Sequence, residues 1–480
     1  MALHTVEKIG GTSMSDYRSV RDNIIFQPSV SSDFYNRIFV VSAYGGITDK
    51  LLEHKKTGDA GVYAMFAKER EQENWLSALQ ALRSHLEAIN LNLFGEGEIL
   101  EEANHFVGQR LEDAQSCLED LNRLCNHGHF AIAEHLATVR EMLASIGEAH
   151  SAWNMARLLK RDGVNAVYVD LTGWQSPSHM SLDERIVSAF EDIDLATQLP
   201  ITTGYAHSET GLMSTFDRGY SEMTFSRIAV LTHAKEAIIH KEFHLSSADP
   251  RLVGEGNAVP IGRTNYDVAD QLANLGMEAI HPKAAKGLRQ NKIALRVKNT
   301  FEPEHTGTLI TGDYVSDSPC VEIIAGCRSV YAIEVFDQEM TGDIDVFDTA
   351  IMKVLRQLNA HIIAKDINAN TITHYLGVNL KNLKRIMAIL QSQFSDAEIS
   401  QRKVAIVSAI GSDMKTTGML AKAVKAIAEQ EINVIAMHQS MRQVDMQFVV
   451  DESDFEVAIK ALHKELVEVH EHGRAICLAS

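Results

Sequence analysis

Apolar residues change their period along this chain, and the changes divide it into three stretches. Residues 36–43, NRIFVVSA, form a continuous apolar run bounded by the turn residues of YGGITD, which predicts a strand buried on both faces of a sheet. VNAVYV (164–169) and QLPITTGY (198–205) predict two further buried strands, and ARLLKRDG predicts a helix that stops at Gly163. From Leu76 to Cys125 the spacing is helical: Leu76, Leu79, Leu82, Leu86 and Ile89, then Ile99, Ala103, Phe106, Ala114, Leu118 and Leu121. These predict long helices that serve packing. Strands alternating with helices imply an α/β unit, a mostly parallel sheet with helices on its faces.

The last third carries an internal repeat. HIIAKDINANTITHYLGV (361–378) lies over NVIAMHQSMRQVDMQFVV (433–450) without a gap, and Leu383, Leu390 and Phe394 then lie over Phe455, Leu462 and Leu466. A strand precedes each copy (VYAIEVF, VAIVSAI), followed by a helix marked by Phe347, Ala350, Ile351, Val354 and Leu358 in the first and by Met419, Ala423 and Ile427 in the second. Each copy reads β-α-β-β-α with room for a last strand, a small α+β unit of the kind that senses a ligand.

Composition narrows the partners. A chain of 480 residues with 45 basic and 64 acidic side chains carries a net charge of −19, which argues against nucleic acid or an anionic membrane as partner. Any phosphate chemistry must be local. Cys117, Cys125, Cys320, Cys327 and Cys477 form no CxxC pair, as expected of a reducing compartment. With no signal-like N-terminal run and no membrane-length apolar segment, a cytoplasmic protein is expected.

Four stretches could carry chemistry. In VEKIGGTSM, Lys8 precedes Gly10 and Gly11 at the end of a short apolar strand, and glycine amides beside a lysine suit phosphate oxygens. Taken alone, a strand followed by two glycines is more often only a turn, and neither GxxxxGK[ST] nor GxGxxG occurs. VVSAYGGITDKL (40–51) repeats the design with Ser42, Thr48 and Asp49; its plainer reading is a strand end and a capped helix starting at Asp49. TGYAHSETGLMSTFDRGYSEMT (203–224) reads as a long polar loop before a helix. SSADPRLV (246–253) puts Arg251 beside a proline-fixed turn.

KIGGTS, VVSAYGGITD, the GE of SIGEAHSAW, the DRGYSE loop, ADPR and the IHP of MEAIHP follow one another in the order and spacing of the aspartate kinases of the amino acid kinase family. The tandem repeat resembles the pair of ACT domains those enzymes carry, and EKIGGTSM with MHQSMRQVDMQ resembles their ectoine-associated branch. The resemblance implies a three-layer αβα kinase domain over 1–315, with a helical insertion at about 55–130, then ACT-like domains at 316–400 and 401–480. It implies ATP-dependent phosphorylation of L-aspartate to 4-phospho-L-aspartate, with Mg2+. Lys8 and Glu222 would be catalytic. Gly10, Gly11, Ser13 and Arg251 would join Lys8 on the nucleotide. Arg218 would clamp the substrate α-carboxylate, Glu148 would take its ammonium group, and Ser42, Thr48 and Ser221 would hydrogen-bond it. An amino acid effector would bind near Asp413, Met414, Asn433 and Val434, and paired ACT units favour a homodimer or larger assembly.

The chain also departs from that family. RGYSE stands where RGGSD is usual, so Glu222 replaces an aspartate and Tyr220 a glycine. HKEFHLS (240–246) replaces TDxxGxY on the nucleotide side, and Glu278 replaces a lysine. HKEFH invites a zinc reading through His240 and His244, but offers too few ligands for a structural site; no metal bound by the protein itself is expected. A kinase for another carboxylate such as glutamate, and a catalytically degraded amino acid sensor, are the alternatives.

Overall fold

The computed structural model describes residues 4–26, 34–55, 57–69, 72–127, 129–176, 180–209, 211–216, 219–277 and 279–468. They form two compact units, Met1–His244 with Ile280–Gly312, and Leu245–Ala279 with Asp313–Ser480.

In the first unit β1 (Thr5–Ile9), β2 (Arg37–Val41), β3 (Ala166–Val169), β4 (Leu199–Thr203) and β5 (Glu236–Lys241) are parallel neighbours in the order β3-β4-β2-β1-β5. In the second unit β6 (Arg263–Asn265) is a short strand of the Leu245–Ala279 segment. Back in the first, β7 (Ala294–Asn299) extends the sheet in parallel beside β5, and β8 (Thr308–Thr311) pairs antiparallel with β7. All five residues of β2 are buried, as expected of a strand covered on both faces. The insertion is helical at Val62–Glu69, Gln72–Phe94 and Glu98–Cys125, and the next helix, Leu136–Arg161, ends before Gly163 at φ +87°.

β1 carries two adjacent charges in its core, and strand alternation sends them to opposite faces. On one face Arg37 grips Glu7 with two bonds, Nε–Oε1 at 2.6 Å and Nη2–Oε2 at 2.9 Å. His240 of β5 donates from Nε2 to the same carboxylate at 2.7 Å. Burial alone would raise the Glu7 carboxyl, but the Arg37 guanidinium, helped by His240, outweighs it and holds the group well below the usual range. Burial lowers the pKa of His240 itself, against the opposing pull of Glu7. The triad therefore pins β2 and β5 to β1 and fixes the strand that ends in Lys8. His240→Leu removes one charge-assisted bond and should cost about 1.5–3 kcal/mol; urea melting reads it, and a chelator should leave the wild-type midpoint unmoved.

The second unit holds one six-stranded sheet of β9 (Ile323–Phe336), β10 (His361–Asn368), β11 (Thr371–Gly377), β12 (Glu398–Ile410), β13 (Ala436–Gln439) and β14 (Asp445–Asp451), in the order β10-β11-β9-β12-β14-β13. β9 and β12 run antiparallel through a bulge between Val404 and Ile406, where Ser329 has φ +59°. The bulge separates two cores. On one side residues 331–336 and 398–403, with β10 and β11, bury Ile333, Val335, Ile372 and Leu376 under helices Ile344–Gln357 and Leu380–Gln393. On the other, residues 404–410 with β13 and β14 pack on helices Met419–Ala428 and Phe455–Leu466. The fourth strand of this second module is Ile323–Cys327, which precedes the first repeat in the chain. A boundary at 400/401 thus falls inside β12, a strand that serves both modules.

Candidate functional site

The parallel strands of the first unit deliver their loops to the carboxyl edge of the sheet, where open α/β sheets bind ligands. There the ends of β1 and β2, the helix Leu136–Arg161 and the start of the helix Tyr220–Leu231 enclose a cavity of about 470 Å³. Seven of the expected residues share its wall: Lys8, Gly11, Ser42, Thr48, Glu148, Ser221 and Glu222.

The β2 loop is held from below by the long helix. Ser151 Oγ donates to the Ser42 carbonyl at 2.8 Å, and a Cβ on Gly147 would stand 2.9 Å from Ala43 Cβ. The short helix that follows begins at Ile47, with Gly46 at φ +79° and no side-chain cap, rather than at a capped Asp49. Residues 203–224 also differ from a plain loop, because Leu212–Phe216 and Tyr220–Leu231 are helical. Buried Glu141 ties this segment down, accepting from Tyr205 Oη at 2.7 Å and from the Ser214 amide at 2.9 Å.

Glu148 is the group furthest from its ordinary behaviour. It is 2% exposed, Oε1 accepts from Ser221 Oγ at 2.9 Å, and Oε2 is buried with no hydrogen-bond partner. Burial pushes its pKa up to about 8, against the opposing pull of the Ser221 hydroxyl, the Lys8 charge and the backbone amides of Ala43 and Tyr205. Gly204 makes the position reachable, since a Cβ there would lie 2.9 Å from Oε2. A buried carboxylate with one open oxygen is a receptor for an ammonium group.

Lys8 faces the cavity with Nζ 3.9 Å from Glu222 Oε1, while Glu222 Oε2 accepts the His281 amide. Gly11 opens the helix Gly11–Met14, whose first amides lack intrahelical acceptors. Its own Cβ would sit 2.8 Å from the Ala43 carbonyl oxygen, so the close approach of the two loops requires glycine.

Other expected residues lie elsewhere. The Gly10 amide is spent on the His240 carbonyl at 3.2 Å, so it is not a donor to a ligand. Ser13 is fully buried, with Oγ on Thr300 Oγ1 at 2.9 Å. Arg251 belongs to the second unit, where its exposed side chain bonds Asp249 at 2.8 Å. Arg218 and Glu278 lie outside the described residues. His240 and His244 do not share a site: the first bonds Glu7 and the second Glu302 at 3.0 Å. Of the effector positions, Met414 is buried, Asn433 is exposed, and the Asp413 carbonyl accepts the Cys320 amide; β13 starts at Ala436, after Asn433 and Val434. Tyr44, which lines the cavity beside Ser42, and the Glu141 anchor escape a sequence reading. A glutamate inside the apolar run of β1 was the visible signal for the Glu7 triad.

Residues 4–299 match the amino acid kinase family, and residues 407–466 match an ACT domain. The chain is 54% identical over 477 residues, 99% of its length and 100% of the relative's, to aspartate kinase Ask_Ect of Stutzerimonas stutzeri. Aspartokinase III of E. coli, solved with aspartate and ADP, superposes with a TM-score of 0.72 at 20% identity, covering 96% of this chain and 99% of that one. The same enzyme solved with lysine and aspartate gives 0.72 at 19%, over 97% and 100%. No described helix is long and apolar enough to cross a membrane.

Proposed function

The chain belongs to the amino acid kinase family and is an aspartate kinase, ATP-dependent and with ACT modules at its C-terminal end; we propose that it works through the cavity between Lys8 and Glu148. The buried Glu148 carboxylate, whose Oε2 lacks a well-formed hydrogen bond, carries this reading, because it is placed to receive the α-ammonium group of L-aspartate. Ser42, Thr48 and Ser221 supply hydroxyls around it, and Arg218 clamps the α-carboxylate. The substrate's side-chain carboxylate is already ionised at neutral pH, so no general base is needed. One of its oxygens forms the new bond to the terminal phosphorus of ATP as the bond to the bridging oxygen breaks, leaving ADP and 4-phospho-L-aspartate.

Lys8 stabilises charge on the transferring group and the amide of Gly11 holds a phosphate oxygen, in a reaction catalysed mainly by positioning and electrostatics. Glu222 positions Lys8 from 3.9 Å. Gly10 and Ser13 serve in this proposal by shape rather than as donors. Among the described residues no three His, Cys, Asp or Glu side chains are grouped to hold a metal. Mg2+ would enter this site with the nucleotide phosphates and would supply neutralising charge to them beside Lys8. The ACT modules bind an amino acid near Asp413, Met414, Asn433 and Val434 and join copies into a homodimer or larger assembly.

Trapping the product with hydroxylamine tests the kinase reading. MgATP with L-aspartate should give aspartyl hydroxamate, with L-glutamate giving far less. No hydroxamate above a Lys8→Ala control, together with an amino acid that still raises the melting temperature, would favour a sensor instead.

A further inference from the structure

Behind the substrate loop lies a chain of buried polar side chains that no step above uses. Tyr44 lines the cavity, and its ring meets His150 edge-on with centroids 5.5 Å apart. Its hydroxyl interacts with the Asn154 side chain. His150 Nε2 and Asn90 Oδ1 are 2.6 Å apart, Asn154 Nδ2 donates to the same Oδ1 at 2.9 Å, and Asn90 Nδ2 donates to Asn104 Oδ1 at 2.9 Å. Asn90, His150 and Asn154 are fully buried. His150 and Asn154 sit on the long helix that carries Glu148, whereas Asn90 and Asn104 belong to the two long helices of the insertion.

Buried amides and imidazoles are costly unless bonded, and a helix pair can be joined by hydrophobic contact alone. Asn90 is placed to bond three partners at once, two of which touch Tyr44. Burial lowers the His150 pKa to about 3, so the imidazole is neutral; placing its proton on Nε2 bonds Asn90 Oδ1, with Asn154 Nδ2, 3.0 Å from the same nitrogen, donating to Oδ1 as well. We propose that Asn90, His150 and Asn154 are positioning residues through which the helical insertion sets Tyr44, and with it the Ser42–Thr48 loop, for aspartate. This rests on the reading of the cavity as the aspartate site. The insertion is then part of the substrate machinery rather than a packing appendage.

The experiment measures wild type, Asn90→Ala, Tyr44→Phe and the double variant for aspartate KM, ATP KM and, by calorimetry without nucleotide, aspartate binding. Asn90→Ala should weaken aspartate about tenfold in both KM and binding while ATP KM stays within about twofold. Because the two residues act in series, the double variant should be little weaker than the worse single one. Unchanged aspartate affinity, equal rises for both substrates, or additive effects of the two substitutions would each overturn the proposal. Should Asn90→Ala not fold, Asn104→Ala at the outer end of the chain is read the same way. Wild type that neither forms hydroxamate nor binds aspartate overturns the aspartate reading as well; wild type that does both, with a silent Asn90, overturns this proposal alone.

Discussion

Lys8→Ala should lower kcat by about 10³- to 10⁵-fold, the span that a cation aimed at a transferring phosphoryl group is worth. Lys8 is the described cation at the end of β1, 8% exposed and 3.9 Å from the carboxylate that steadies it. Its charge matters most where negative charge shifts onto the leaving oxygen, so the loss falls on kcat more than on either KM. Arginine should not rescue it, since a planar fork differs in reach and geometry from an ammonium group. Glu222→Gln should cost less, because that side chain acts through Lys8 and is also held by the His281 amide. Coupled ADP release and hydroxamate formation give the numbers. A Lys8→Ala enzyme within tenfold of the wild-type kcat would remove this lysine from the chemistry.

The apolar runs of β2, β3 and β4 could be read because a strand covered on both faces has no polar face to disguise it. The insertion helices declared themselves by period. What the repeat hid was its own ending. Aligning two copies shows which residues correspond, but the strand that completes the second module is Ile323–Cys327, and pairing it with β12 is a long-range choice that no local pattern records. The short helices at Ile47–Leu51 and Leu212–Phe216 each span five residues, too few for a helical period to show.

At the site, legibility followed chemistry and failed at bookkeeping. Lys8 within β1, Ser42 just past β2, Glu148 on the long helix and Ser221 in the first turn of another are gathered around one cavity. Gly10 and Ser13 look identical in kind to Gly11 until the strand order is known. Only with β5 beside β1 does the Gly10 amide find the His240 carbonyl, and only with Thr300 nearby does the Ser13 hydroxyl turn into the core. HKEFHLS resolves the same way. Its first histidine answers Glu7 from the neighbouring strand, as the third member of a triad with Arg37.

Aspartate binding should strengthen about tenfold for each pH unit between about 6 and 8 and level off above, if one proton leaves Glu148 on binding. The sign follows from burial. In the free protein the Glu148 carboxyl is pushed up to about 8, so at lower pH it is mostly protonated and neutral. The substrate ammonium group needs it ionised, and a cation at hydrogen-bond distance pulls the bound pKa down. Binding below the free value must therefore expel a proton, and above it no such cost remains. Glu148→Gln keeps the shape, cannot ionise, and should bind aspartate weakly at every pH with no slope; Glu148→Ala should raise the aspartate Kd by about 10²- to 10³-fold, the order expected when one partner of a buried ion pair is lost. Calorimetry in buffers of different ionisation enthalpy counts the proton directly. An aspartate Kd that is flat across that range, or a slope that survives Glu148→Gln, would place the ammonium group against some other residue.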